Sequence, residues 1–107
     1  MIRAEFFADA DGKLLGFSIT GHSGMAEEGS DILCAAVSSA AYMTANTVLE
    51  ILRITPVSLR VDDGDMLFRV TERDARDCKD LFSGFKQHLL GLEEQYPEYL
   101  RVRYTEV

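Results

Sequence analysis

One stretch of this chain places residue types that do chemistry at a workable spacing: Gly21-His22-Ser23-Gly24-Met25-Ala26-Glu27-Glu28-Gly29-Ser30-Asp31-Ile32-Leu33-Cys34. A thiol with an imidazole in reach is the minimum equipment for nucleophilic catalysis. The base takes the thiol proton, the thiolate attacks a carbonyl, and the imidazolium returns the proton to the leaving group. Ser30 or Asp31 suits the N-cap of a following helix, which puts Cys34 in its first turn. There the helix dipole favours a thiolate, and nearby backbone N–H groups offer an oxyanion hole. His22 falls at the end of the preceding strand, and Gly21, Gly24 and Gly29 are candidate hinges for the loop that would bring it back to the sulfur. Asp31 either orients His22 or caps the helix.

Plainer readings stand beside this one. A cysteine on an Ala-rich helix is more often a small buried hydrophobe, and a loop histidine can simply donate to a carbonyl. Ser23 is a poor nucleophile candidate, because Gly21-His22-Ser23-Gly24 does not make the Gly-x-Ser-x-Gly elbow. Cys78 and His88 sit ten residues apart on one predicted helix and read as core and surface respectively. Two Cys and two His at these positions match no zinc-ligand spacing, so neither a metal nor another cofactor is expected. Asp62-Asp63-Gly64-Asp65 reads as a hairpin turn rather than a calcium loop.

The elements that must position the thiol and imidazole follow from periodicity. Ile2, Ala4 and Phe6 alternate with Arg3, Glu5 and Phe7, and after Asp9-Ala10-Asp11-Gly12 the alternation resumes with Leu15, Phe17 and Ile19, which predicts a hairpin. Val57, Leu59 and Val61 lead through Asp62-Asp63-Gly64 to Met66, Phe68 and Val70, a second hairpin. Leu100, Val102 and Tyr104 make a last strand after Pro97. From Asp31 to about Leu52 no Gly or Pro interrupts an Ala-, Leu- and Met-rich run, so a long central helix is expected. A second helix, about Ala75 to Gln95, carries Cys78, Leu81, Phe82, Phe85 and Leu89 on one face. The order β-β-α-β-β-α-β predicts an α+β fold: a mainly antiparallel sheet with two helices packed on one face. The first helix is apolar on more sides than one sheet and one helix can cover, which points to a homodimer.

The 107 residues suit a single domain, residues 1–107, and a composition of 47% hydrophobic and 27% charged residues is that of a packed globular chain. Charges within Met1-Ile2-Arg3-Ala4-Glu5 argue against a secretory signal, so a cytoplasmic location is expected. In a reducing compartment two cysteines remain free thiols. A formal net charge of −7 opposes direct nucleic-acid binding or attachment to an anionic membrane, and suits a basic partner.

At the central stretch the chain resembles the ribosomal-processing cysteine proteases, the Prp family. The family's marks are a Gly-His pair after the second strand, a glycine-containing loop, and an Asp-Ile-Val-Cys-Ala-Ala-Val-Ser-like helix start. They correspond here to Gly21-His22, the loop through Gly29, and Asp31-Ile32-Leu33-Cys34-Ala35-Ala36-Val37-Ser38. Ser23 departs mildly from the small residue expected there. The resemblance implies a homodimeric α+β protease with a His22 and Cys34 dyad, supported by Asp31 and Ser38. The implied substrate is the N-terminal extension of bacterial large-subunit ribosomal protein number twenty-seven, cleaved after a pair of phenylalanines. Two rivals remain open on residues alone: a non-enzymatic ribosome-associated module that binds a basic peptide, and another thiol-dependent acyl transfer such as deamidation.

Overall fold

The computed structural model describes the backbone of residues 1–22 and 28–107, and the side chains of 1–22 and 32–107. Strands β1 (Ile2–Ala8) and β2 (Leu14–Thr20) form the first hairpin. Helix α1 (Glu28–Asn46) runs on into a π-helical turn (Thr47–Ile51). Strands β3 (Ser58–Asp62) and β4 (Asp65–Arg69) form the second hairpin, followed by a short α2 (Glu72–Ala75), then α3 (Lys79–Gln95) and β5 (Leu100–Glu106). The five strands make one sheet in the order β3-β4-β2-β1-β5. All pairs are antiparallel except β1 with β5. The α+β class and the mainly antiparallel sheet are therefore as expected.

Alternation decides which sheet face is wet. Ala4, Phe6, Phe17, Ile19, Met66 and Phe68 are buried in one core with Leu33, Val37 and Ala41 of α1 and Phe82, Phe85 and Leu89 of α3. Their neighbours along the strands, such as Arg3, Ser18 and Arg69, occupy the other face, where the Arg69 guanidinium lies 5.8 Å from the Phe7 ring centroid. At the centre of the core the Phe17 ring meets Phe85 at 4.8 Å, Phe68 at 5.8 Å, Phe82 at 6.2 Å and Phe6 at 6.3 Å, all within the range of favourable aromatic pairs.

The first hairpin is closed by Asp9. Its carboxylate accepts the N–H of Lys13 at 2.9 Å and of Asp11 at 3.0 Å, and these bonds, Lys13's foremost, hold the carboxyl below its ordinary pKa. Gly12 supplies the left-handed residue of this turn at φ +86°.

Two expectations are corrected. Helix α1 begins at Glu28 rather than at Asp31, so Ser30 and Asp31, expected at its N-cap, lie with Gly29 in its first turn. The second helix is two helices, α2 and α3, separated at Arg76–Cys78, with Thr71 capping α2 by accepting the Asp74 N–H at 3.1 Å. The break is silent in the pattern because Ala75, Cys78 and Phe82 keep three-and-four spacing and all are buried. Strand β3 does alternate, but at the sheet edge its apolar residues are uncovered: Leu59 is 49% exposed and Val61 46%.

Among the described residues, Ile32–Ile51 is long and apolar enough to cross a membrane by length and composition. In this fold it is the central packing element, with Leu33, Val37, Ala41, Ala45 and Val48 forming its buried stripe.

Candidate active site

The end of β2 and the turn of the second hairpin are brought together by sheet register. Thr20 pairs with Asp65, so the next residue on each chain, Gly21 and Gly64, must also meet. Gly21 donates its N–H to the Gly64 carbonyl at 3.0 Å. Its φ of +89° and the close approach of the Met1 carbonyl to the space a Cβ would fill make glycine necessary there. The Met1 ammonium donates to the His22 carbonyl at 2.8 Å. His22 thus leaves the sheet from an anchored backbone, with its side chain exposed.

These contacts bear on the proposed hinges. Gly21 is tied on two sides rather than free. Gly24 lies outside the described residues, as does most of the loop expected to close. Gly29 belongs to α1, where helical hydrogen bonding takes its backbone out of the loop.

Cys34 sits seven residues into α1, in the second turn rather than the first. The helix-terminal field falls off within one turn, so the helix end acts on this position less than expected. The oxyanion-hole expectation moves for the same reason. The N–H groups beside Cys34 fall in the second turn, where the helix takes them up, and the open N–H groups of a helix lie at its start, ahead of Cys34. Cys34 is a free, half-buried thiol packed against the edge of the core. Ser38, one turn further on, is exposed. Asp31 lies one turn before Cys34, and its side chain is outside the described residues.

Cys34 and His22 face the same cleft, of about 530 Å³, within the size range of small-ligand and peptide sites. Ile2, Ile19, Val37, Ala41 and Met66 contribute its apolar lining. Cys34, Ser38 and Tyr42 contribute from α1, and Gly21, His22 and Gly64 from the sheet side. Asp62, Asp63 and Asp65 add an acidic edge, with Asp65 held by the Arg60 guanidinium through two bonds of 3.1 Å. The sequence reading did not assign Tyr42, Gly64 or these aspartates to the site. For Gly64 and the aspartates the only local signal was a turn, and a strand register has to be known before that turn can be set beside His22; Tyr42 lies two turns beyond Cys34 on the same helix.

Cys78 is the opposite kind of thiol. It is fully buried in the core, and burial first, then Asp77 and Asp74, push its pKa up to about 11. Buried in this way, its sulfur is out of a substrate's reach. His88 is exposed on α3, as expected. Among the described residues no group of three or more His, Cys, Asp or Glu is placed to hold a metal ion.

A free thiol and an imidazole on one peptide-sized cleft, at the end of an α+β sheet, define the equipment of a thiol-dependent acyl-transfer enzyme. The sequence model of the family described as cysteine protease Prp matches residues 1–101. The ribosomal processing cysteine protease Prp of Bacillus subtilis (strain 168) is 31% identical over 107 residues, covering 95% of this chain and 96% of that protein. Among solved structures, a Streptococcus mutans protein of 30% identity superposes with a TM-score of 0.83, covering all of this chain and 96% of the other. The ribosomal processing protease Prp of Staphylococcus aureus, in complex with a covalently linked product peptide, has the same fold at 24% identity. Its TM-score is 0.85, covering 98% of this chain and 100% of that one. A second structure of that enzyme is in complex with a substrate peptide. This chain belongs to the Prp family and is a cysteine protease. The non-enzymatic binding-module reading falls with that assignment.

Proposed function

We propose that this protease removes the N-terminal extension of large-subunit ribosomal protein number twenty-seven, cutting after a pair of phenylalanines, with Cys34 as nucleophile and His22 as base. The observation that carries the reading is that both side chains line one cleft. His22 takes the Cys34 proton, and the thiolate attacks the scissile carbonyl. Collapse of the tetrahedral intermediate breaks the C–N bond as the imidazolium protonates the departing amine. A water, deprotonated by the now neutral His22, then hydrolyses the thioester, which releases the carboxylate product and restores the thiol. Ser38 lines the same cleft as Cys34, which supports reading it as an assistant to the dyad, a role we extend to Asp31 from its position one turn before the cysteine. The acidic edge of Asp62, Asp63 and Asp65 and a net charge of −7 suit a basic ribosomal tail, and the apolar lining suits phenylalanine. The setting for this reaction is the cytoplasm.

A synthetic peptide spanning the extension and its Phe-Phe junction, incubated with the enzyme and followed by mass spectrometry, tests the substrate. Cleavage after the second Phe, absent with a peptide in which both are alanine, is the expected result; an intact peptide under all conditions rejects this substrate.

We also propose that the enzyme acts as a homodimer. The support is apolar surface left open on a single chain: Ile32, Met43 and Ile51 of α1 and the π-helical turn, with Val57, Leu59 and Val61 at the β3 edge, are all exposed. Sedimentation at micromolar concentration should give twice the 12.0 kDa chain mass. A mass of one chain that does not change with concentration rules the dimer out.

A further inference from the structure

We propose that Gly64, on the turn between β3 and β4, is a positioning residue for His22: the absence of a side chain at Gly64 is what seats the imidazole. This rests on the reading of His22 as the catalytic base. A Cβ placed on Gly64 would lie 2.6 Å from His22 Cε1 and 2.9 Å from Cδ2, and nearer still to Nε2. Those three atoms are the outer edge of the ring, so the imidazole rests directly against the glycine. Real Cβ contacts do not come that close, and the ring would have to leave its seat before a side chain could enter. The ring is the end of an exposed side chain, so it can give way by rotating about its own bonds, and that rotation is what takes it off its seat.

The seat is built on fixed supports. The Gly21 N–H to Gly64 carbonyl bond of 3.0 Å ties the turn to the residue before His22. The Met1 ammonium holds the His22 carbonyl at 2.8 Å. The paired Arg60 to Asp65 bonds, both 3.1 Å, brace the hairpin on which the glycine sits. With backbone and turn both held, the one remaining freedom of the imidazole is rotation of its side chain, and Gly64 sets where that rotation stops.

A second reason for glycine at this position must be separated from the first. Gly64 has φ +72°, which disfavours any residue with a Cβ irrespective of its neighbours. The molecule contains its own control. Gly12, in the turn of the other hairpin, has φ +86°, yet a Cβ there would meet nothing within 4 Å. Gly12→Ala therefore carries the backbone cost without the contact. Asparagine tolerates the left-handed region, so Gly64→Asn relieves the backbone cost but keeps the contact.

The test compares the full chain as wild type, Gly64→Ala, Gly64→Asn, Gly12→Ala and His22→Ala. The readouts are kcat and KM on the cleaved peptide, melting temperature, and the rate of Cys34 alkylation by iodoacetamide. Both Gly64 variants should lose about 100-fold in kcat with KM within about twofold, since a misplacement on the order of 1 Å costs that much. Gly12→Ala should keep wild-type kcat while melting as low as Gly64→Ala. The alkylation rate should fall about tenfold or more in the Gly64 and His22 variants and not in Gly12→Ala, which reads the imidazole without any peptide. If Gly64→Asn retains wild-type kcat and alkylation while His22→Ala is inactive, the seat is disproved and the base stands. A rise in KM alone would mean that Gly64 touches the peptide instead of the imidazole, which also overturns the proposal. If His22→Ala itself stays active, the base assignment fails and takes this inference with it.

Discussion

Cys34→Ala should lower peptide cleavage by about 10⁴-fold or more while the protein stays folded, because removal of a nucleophile removes the reaction path and not merely a favourable contact. The stability side of this prediction follows from position. Cys34 is half-buried at the margin of the core, not inside it, so losing one sulfur should cost about 1 kcal/mol or less. Cys78→Ala is the matching control and should reverse the pattern. Its sulfur is fully buried, so the substitution opens a small void in the core, yet activity per folded molecule should be unchanged. Cys78 is both sealed in the core and held as the thiol at pH 7.5, its pKa pushed up to about 11 by burial. Iodoacetamide at that pH should therefore label Cys34 and leave Cys78 unmodified in native protein. Activity lost in Cys78→Ala and kept in Cys34→Ala would exchange the two assignments.

The largest effect on stability is expected from Phe17→Ala. The ring is fully buried and touches four other phenylalanines, from β1, β4 and α3, so no single neighbour can move to fill its space. Truncation of such a ring costs about 3–5 kcal/mol, the transfer of the ring plus the cavity left behind. Domains of this kind hold about 5–15 kcal/mol in total, so the variant should stand near the edge of unfolding at room temperature. Urea denaturation should show a much lower midpoint with an unchanged slope. Phe17→Leu, which keeps most of the volume, should lose much less. A loss below about 1 kcal/mol for Phe17→Ala would mean that the core collapses around the gap, contrary to the close packing described here.

Much of the fold is legible in the chain because its signals are local. Period-two alternation at Ile2, Ala4 and Phe6, and again at Met66 and Phe68, combines with Asp-Gly turns to mark both hairpins. A run without Gly or Pro marks α1, and Leu100 with Val102 marks β5. The protease family is legible for another reason: Gly21-His22 and the segment from Asp31 to Ser38 form a pattern dense enough to recognise without any coordinates.

What local signals do not carry is which elements meet. Alternation shows that β3 has an apolar side, but only the order β3-β4-β2-β1-β5 puts that side at an uncovered edge. Three-and-four spacing passes unbroken from Ala75 to Phe82, so the interruption between α2 and α3 leaves no trace in the pattern. The helix start shifted from Asp31 to Glu28 because several residues there are acceptable first-turn residues, and the choice among them moved Cys34 into the second turn. The seat of His22 is the clearest case. Gly64 read as an ordinary turn glycine, which it is, and it stands 42 positions along the chain from the histidine. Element types, the two hairpin turns and the presence of a thiol and an imidazole are set locally, since each depends on neighbours a few residues away. That the ring rests on a glycine depends on the register of β2 against β4, and that the thiol shares its cleft depends on how α1 packs on the sheet, both contacts between segments distant in the chain.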